Sequence, residues 1–423
     1  MVVYQRRGIQ MKSVQSATAA SDGAHSFVPE ISQPNLDLLG RAQSLYSLIH
    51  EHAPDSDRDR RVSEVVIDGL EELDLFQVCT PRRYGGFQSN FRTLFELTAE
   101  IARGDGGTAW AFALLNSNAW DVGTYSREAQ DDIWGANPRA RITTVTKPPA
   151  GPTASARKVD GGYVISGRWP YASGSLHAQW AELGFVVEID GAPVRMMTLV
   201  PMDEVTLEDT WYVAGMRGSG SNTVVGTEVF APDYRTQSFD NLVEGNYASE
   251  FTDELEYLTP MVPNHDLVLV GAQVGLAQAA LDYALEKLPT RGVTNTKYAK
   301  GSDAPTNQIA VAEAANAIDT ARMLGRRASY DIDAAAVTNR GQIDWATRAR
   351  IRMDAATIAV LCRESIDKML TAIGSAAFAS VNPLQQIWRD SETASRHALV
   401  NVGVSKETYG KSLLGIDEFV MPI

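Results

Sequence analysis

The chain has 423 residues, with 38 basic against 52 acidic side chains and a formal net charge of −14. That balance works against nucleic acid and anionic membrane surfaces as partners, since both repel it. A hydrophobic share of 44% with 21% charged residues is that of an ordinary globular chain, long enough for two or three packed lobes.

Residues 1–34 read as a disordered leader, because Ser13–Ser26 carries few large apolar groups. Met1–Lys12 is basic, but no apolar stretch follows it, so a secretory signal is not expected. No apolar run approaches the ~20 residues of a spanning helix. The two cysteines, Cys79 and Cys362, lie far apart in apolar stretches and read as buried free thiols of a reducing compartment. A cytoplasmic location follows. No zinc-type Cys/His spacing occurs, so no metal is expected.

Residues 35–140 read as an α-helical domain. Leu36–Leu48 and Asp57–Leu75 show helical apolar spacing on either side of a Pro54-Asp55-Ser56 break. Phe91–Arg103 and Thr108–Asn118 follow, separated by Gly104-Asp105-Gly106-Gly107. Residues 141–240 change grammar. Gly162–Ser166, Ala181–Val187, Arg195–Val200 and Val224–Phe230 are short strand-like runs between turn residues, as in a compact β-barrel or sandwich. From 241 to 423 long amphipathic stretches return at Asp266–Leu288, Asn307–Ala336, Asp344–Ile373 and Pro383–Lys411, the last opened by the Asn382-Pro383 start signal. The fold class is mainly α with a central β lobe, closed by a four-helix bundle. No Gly-x-Gly-x-x-Gly opens a helix in a βαβ unit, so no nicotinamide domain is expected.

The stretch Ser166-Gly-Arg-Trp-Pro-Tyr-Ala-Ser-Gly174 places an aromatic-rich strand before a hydroxyl, Ser173, between two small residues. Small neighbours let a flat ligand approach the backbone, where the hydroxyl can meet a ring nitrogen. An ordinary turn with a solvent-facing serine fits the same residues.

That stretch resembles the flavin strand of the acyl-CoA dehydrogenase superfamily. The nearest likeness is to the oxygenase components of two-component flavin monooxygenases, the group of p-hydroxyphenylacetate hydroxylase and the phenol hydroxylase of steroid breakdown. Four other places agree in order: Pro81–Gly86, Asp209–Asn222, Pro289–Lys297 with Asp303–Gln308, and Asn382–Asp390 followed by His397. The resemblance covers roughly residues 40–415 and implies an acyl-CoA dehydrogenase-like fold of N-terminal helical domain, middle β-barrel and C-terminal four-helix bundle. It also implies reduced FMN or FAD from a separate NAD(P)H-dependent flavin reductase, and O2 as co-substrate. The activity implied is hydroxylation of a small aromatic or heteroaromatic molecule through a flavin C4a-hydroperoxide.

The dehydrogenase alternative needs a carboxylate base. Aligning on Arg389-Asp390 puts Ala398 at the usual glutamate position, beside His397. The other family location reads Asn264-His265-Asp266-Leu267, where Asp266 is a short-armed substitute. N- and S-oxygenation on the same fold also stay open.

Carried over residue by residue, the resemblance gives Ser173 at flavin N5 and His397 beside the reacting ring carbon, where it could balance charge or accept a phenolic proton. It gives Thr146 at the flavin pyrimidine, Arg291 at a flavin phosphate from a neighbouring subunit, and the Gly218, Ser219 and Ser221 loop beside the flavin, with Trp169 as a further cofactor contact. Asn118 stands where the phenol hydroxylases carry a substrate-binding histidine, and an amide cannot act as a base near neutrality. Indoles and fused rings thereby join phenols as expected substrates. Trp110, Trp120, Trp169 and Tyr171 are candidates for an aromatic pocket, with core packing the alternative. The resemblance also implies a homotetramer, or at least a dimer, and the long apolar faces of Asp266–Leu288 and Asp344–Ile373 fit it.

Overall fold

The computed structural model describes residues 32–416. Most of the expected leader, including the basic stretch Met1–Lys12, lies outside the described residues. The leader's last part is not loose: Ser32 is buried and its hydroxyl donates to Asp333 at 2.6 Å.

The helical lobe runs α1 (Leu36–Ser44), α2 (Tyr46–Asp59), α3 (Glu64–Glu72), α4 (Phe91–Ala102), α5 (Gly106–Gly123) and α6 (Arg127–Trp134). The break expected at Pro54–Ser56 is absent, and Pro54 sits inside α2. The chain turns instead at Arg60, in a left-handed conformation with φ 55°. The glycines before Thr108 also belong to a helix. Asp105 caps α5 by accepting the Thr108 N–H at 2.7 Å, which lets Gly106 and Gly107 form its first turn.

The β lobe comprises β1 (Ile142–Val145), β2 (Ser155–Val159), β3 (Gly162–Ala172), β4 (Trp180–Ile189), β5 (Ala192–Pro201), β6 (Thr206–Glu208), β7 (Asn222–Pro232) and β8 (Thr236–Ser238). They form two four-stranded sheets ordered β1-β4-β5-β8 and β2-β3-β7-β6. All four strand-like runs of the sequence fall inside β3, β4, β5 and β7. Ile165, Trp169, Leu183, Phe185, Val224 and Ala231 fill the space between the sheets. The β3–β7 register slips between Trp169 and Ala172. Tyr171 there takes φ 69° and turns outward while its neighbours stay in the sheet.

After the short α7 (Phe239–Glu244) come α8 (Met261–Lys287), α9 (Pro305–Thr338), α10 (Trp345–Ile373), α11 (Pro383–Ala394) and α12 (Val402–Leu413). Among the described residues α8 alone is long and apolar enough to cross a membrane, yet 78% of its apolar window is buried inside the fold. It packs on α4, α5, α9 and α10, so one core joins the helical lobe to the bundle. The expected last helix, Pro383–Lys411, is broken. Ser395 ends α11, His397 accepts the Leu399 N–H, and the Asn401 side chain caps α12 by accepting the Val404 N–H. His397 therefore stands in a connector rather than on a helix. Both cysteines are buried free thiols.

The β lobe is fastened to the bundle where 211–220 crosses α11. Asp390 accepts the Met216 N–H at 2.5 Å, and Arg389 pairs with Asp57 at 3.0 Å. Gly215 is required here, because a Cβ would lie 1.9 Å from the Arg389 carbonyl oxygen.

Candidate active site

A cavity of about 300 Å3 opens where the two sheets, α5, α8 and the α11–α12 connector meet. Each wall comes from a different element. The β lobe gives Thr144, Thr146, Tyr171, Ser173 and Ser221, and α5 gives Trp110, Leu114 and Asn118. His265 and Leu269 come from α8, while Thr393, Ala394, Arg396, His397 and Leu399 come from α11 and the connector.

The β wall is a chain of hydroxyls. Ser173 Oγ lies 2.7 Å from Ser221 Oγ, which lies 2.8 Å from Ser219 Oγ, and Ser219 donates to the Met216 carbonyl at 2.8 Å. The turn that presents Ser173 depends on Gly174, at φ 73°, where a Cβ would press on Leu115. Buried hydroxyls bonded mainly to one another keep donor and acceptor capacity for the nitrogen and oxygen edge of a flat heterocycle. With Trp110, Leu114 and Leu269 supplying apolar faces, the residues present fit a flavin ring.

The opposite wall carries His397, 5.7 Å from Trp110 between ring centroids in an edge-on arrangement. Its Nδ1 accepts the Leu399 N–H at 3.3 Å, which leaves the ring proton on Nε2. The residue is exposed, its ring open to the cavity. The protein packed against the ring, and then the Arg352 and His265 charges, push its pKa below the ordinary 6.5. The ring is neutral near pH 7 and better suited to donating a hydrogen bond than to taking a phenolic proton.

Of the residues singled out in the sequence, the cavity gathers Asn118, Thr146, Tyr171, Ser173, Ser221, His397 and Trp110. Ser219 and Gly218 stand one layer behind, Ser219 bonded to Ser221 and Gly218 pressed on Gly107. Trp169 and Trp120 are core residues instead. Trp169 is fully buried between the sheets and donates to the Gly184 carbonyl at 2.7 Å. Trp120 donates to the Glu256 carbonyl at 2.6 Å and packs edge-on against Phe91 and Tyr247. An indole N–H in an apolar interior needs such a partner, and each found one away from the cavity. Arg291 is exposed in the α8–α9 joint and lines no part of the cavity within this chain. Asp266 is withdrawn into a buried pair with Arg352 at 3.2 Å, and burial raises its pKa to about 7. Among the described residues, no carboxylate lines the cavity.

Three polar groups escaped the sequence reading. His265 lines the cavity, and its Nε2 lies 3.1 Å from both oxygens of fully buried Asp121. Behind them Glu182 accepts from Tyr125 at 2.7 Å and from Thr144 at 2.9 Å. Burial, then the nearby Asp121 charge, raises its pKa to about 8. A signal did exist: Asp121 interrupts an apolar helix and Glu182 an apolar strand, and buried acids need partners.

Comparison with known proteins agrees with this geometry. The model of the acyl-CoA dehydrogenase N-terminal domain matches residues 45–136, and that of the acyl-CoA dehydrogenase C-terminal domain matches residues 267–402. The chain is 31% identical to the flavin-dependent monooxygenase oxygenase subunit HsaA of Rhodococcus jostii, over 89% of this chain and 98% of that one. It is 28% identical to the oxygenase component of an FADH2-dependent resorcinol hydroxylase from a Rhizobium species, over 94% of this chain and 98% of that one. The solved structure of XiaF from a Streptomyces species, in complex with FADH2 and glycerol, superposes with a TM-score of 0.85 at 31% identity. It covers 92% of this chain and 97% of XiaF.

Proposed function

The chain belongs to the acyl-CoA dehydrogenase family, in its branch of flavin-dependent monooxygenase oxygenase components, and from that membership we propose how its cavity works. It is the oxygenase of a two-component system, using reduced FAD or FMN made by a separate reductase to hydroxylate a small aromatic or heteroaromatic molecule. The single observation that carries this reading over dehydrogenation is the cavity wall. It holds a neutral imidazole and a set of hydroxyls, and no carboxylate to take an α-proton.

Reduced flavin, when bound, supplies electrons to dioxygen and thereby one oxygen atom to the substrate. Ser173, steadied by Ser221 and Ser219, would hold a ring nitrogen edge, and Thr146 the neighbouring polar edge. His397 holds its proton at Nε2 and offers it as a hydrogen bond to the oxygen being transferred. Trp110, Leu114, Leu269 and Leu399 keep water from the reacting face, which protects short-lived oxygen species from leaking away as hydrogen peroxide. Tyr171 and Trp211, edge-on at 6.0 Å, flank the mouth. Asn118 donates one amide N–H to the Ile142 carbonyl at 2.8 Å and can offer its carbonyl side to a substrate N–H or O–H.

The three units, 35–140, 141–240 and 241–423, are taken as the domains of a cytoplasmic homotetramer with neither membrane nor nucleic-acid partner. Association is placed on α9 rather than on α8, whose apolar surface is used within the chain. Ile309, Met323 and Val337 are each more than half exposed along α9, spaced so as to share one broad face. Arg291 is assigned to a flavin phosphate of the adjacent subunit.

The test supplies photoreduced flavin and air to the purified protein with phenols, indoles and thiophenes. A mass gain of one oxygen atom on a ring supports the reading. Desaturation of acyl-CoA thioesters with bleaching of bound FAD would replace it.

A further inference from the structure

The polar group behind the cavity wall has no part in oxygen transfer as just described, yet it is costly to build. An aspartate and a glutamate lie fully inside the fold, beside a half-buried histidine. The group reaches the cavity at two points, the His265 ring and the Thr144 hydroxyl.

The geometry points to His265, held by Asp121, as the base that removes the acidic proton of an aromatic O–H or N–H substrate; the inference rests on the oxygenase reading above. Asp121 Oδ1 accepts from Nε2 at 3.1 Å, which fixes the tautomer and leaves Nδ1 with its lone pair. The hydrogen bond of the His265 ring runs through Nε2, and the ring lines the cavity.

Elimination within the cavity leads to the same atom. Asn118 has no basic site, Arg396 is permanently cationic, and His397 has Nδ1 engaged and its acid form disfavoured. His265 differs in sign from His397. Burial pulls its pKa down, but the Asp121 carboxylate, and then Glu182 and Asp266, more than offset this and leave it above the ordinary 6.5. The charged and titratable groups facing it are Asp121 on α5, Glu182 on β4, Asp266 on α8 with its partner Arg352 on α10, and His397 on the connector.

The step is a proton transfer with no redox change. The substrate O–H or N–H bond breaks, its electron pair stays on the heteroatom, and the proton bonds to Nδ1. The imidazolium so formed faces the Asp121 carboxylate, and the electron-rich ring is the better nucleophile toward an electrophilic oxygen. The proton passes to solvent through the open cavity as product leaves. Asp121 is a positioning residue in this scheme and His265 a catalytic one. The site would therefore favour substrates whose acidic O–H or N–H reaches α8, over arenes and thioethers that have none.

The probe is 4-nitrophenol, bound to the purified protein without reduced flavin at a pH below the probe's own pKa. Wild type should bind it as the yellow phenolate. His265→Gln should bind it colourless, and Asp121→Asn should show the phenolate only at higher pH. In turnover with reduced flavin, His265→Gln should lose about a hundredfold on phenol and recover to within about tenfold on 4-nitrophenol above the probe's pKa. Equal melting temperatures separate these effects from misfolding, and His265→Asn serves if Gln does not fold. An unchanged phenolate band and unchanged phenol turnover in His265→Gln overturn the inference, as does a wild type that never binds the phenolate. Failure of wild type to oxygenate any aromatic, with the bound phenolate present, would instead strike the oxygenase reading.

Discussion

Arg352 holds the carbonyl of Ala398 at 2.9 Å while its other terminal nitrogen pairs with Asp266 at 3.2 Å, and neither residue of that ion pair reaches the cavity. One fully buried guanidinium thus anchors the connector that carries His397 to helix α8, which carries His265.

Arg352→Met should cost about 3 kcal/mol or more of stability, because it strands a buried carboxylate. Arg352→Met with Asp266→Leu should recover much of that loss. Below the melting temperature, Arg352→Met should also give less product per reduced flavin, since the connector loses its tether. His397→Ala should keep its fold and flavin binding and lose about a hundredfold in product formation. Chemical denaturation and product yields check both, and full activity in His397→Ala would remove it from the reaction.

Ser173→Ala breaks the hydroxyl chain at the end nearest the cavity. A net hydrogen bond is worth about 1 kcal/mol, so binding of reduced flavin should weaken roughly fivefold. More of the electrons should also emerge as hydrogen peroxide. Ser219→Ala, one layer back, should do less on both counts, as read by flavin titration and a peroxide assay.

Glu182 gives stability a pH dependence. Its pKa rises from 4.5 unfolded to about 8 in the fold, so the unfolded chain releases that proton first as pH rises. The contribution of Glu182 is therefore full below pH 4.5 and is lost progressively up to about pH 8. Glu182→Gln removes that titration, and wild type should lose about 1 to 3 kcal/mol relative to the variant across the window. Melting curves at several pH values check the sign; a gap independent of pH would place the Glu182 proton elsewhere.

On α9, Met323→Glu puts a charge in the middle of the exposed apolar face. Wild type should sediment as a tetramer and the variant as a smaller species. A wild type at the mass of a single chain would remove the assembly assignment, and with it the role of Arg291.

Much of this was legible in the residues. Period-two runs located the four longest strands, and the order of helical lobe, β lobe and bundle followed from where the period changes. Ser173 and His397 were found through their neighbours rather than through their own chemistry. Other features depend on tertiary contacts that no local pattern encodes. Pro54 is tolerated inside α2, and the 395–401 break is set by caps at His397 and Asn401. Trp120 and Trp169 looked like pocket residues because an indole suits a pocket and a core equally; the Glu256 and Gly184 carbonyls decided for the core. His265 was passed over because its partner Asp121 lies 144 positions away.

This chain oxygenates with reduced flavin that another protein must supply. The most direct measurement mixes the purified protein with NADH, flavin and an aromatic substrate in air, with and without an unrelated flavin reductase. Hydroxylated product should form only when the reductase is present, and the same product when photoreduced flavin replaces both NADH and reductase. Rapid NADH consumption coupled to product by the chain alone would contradict it.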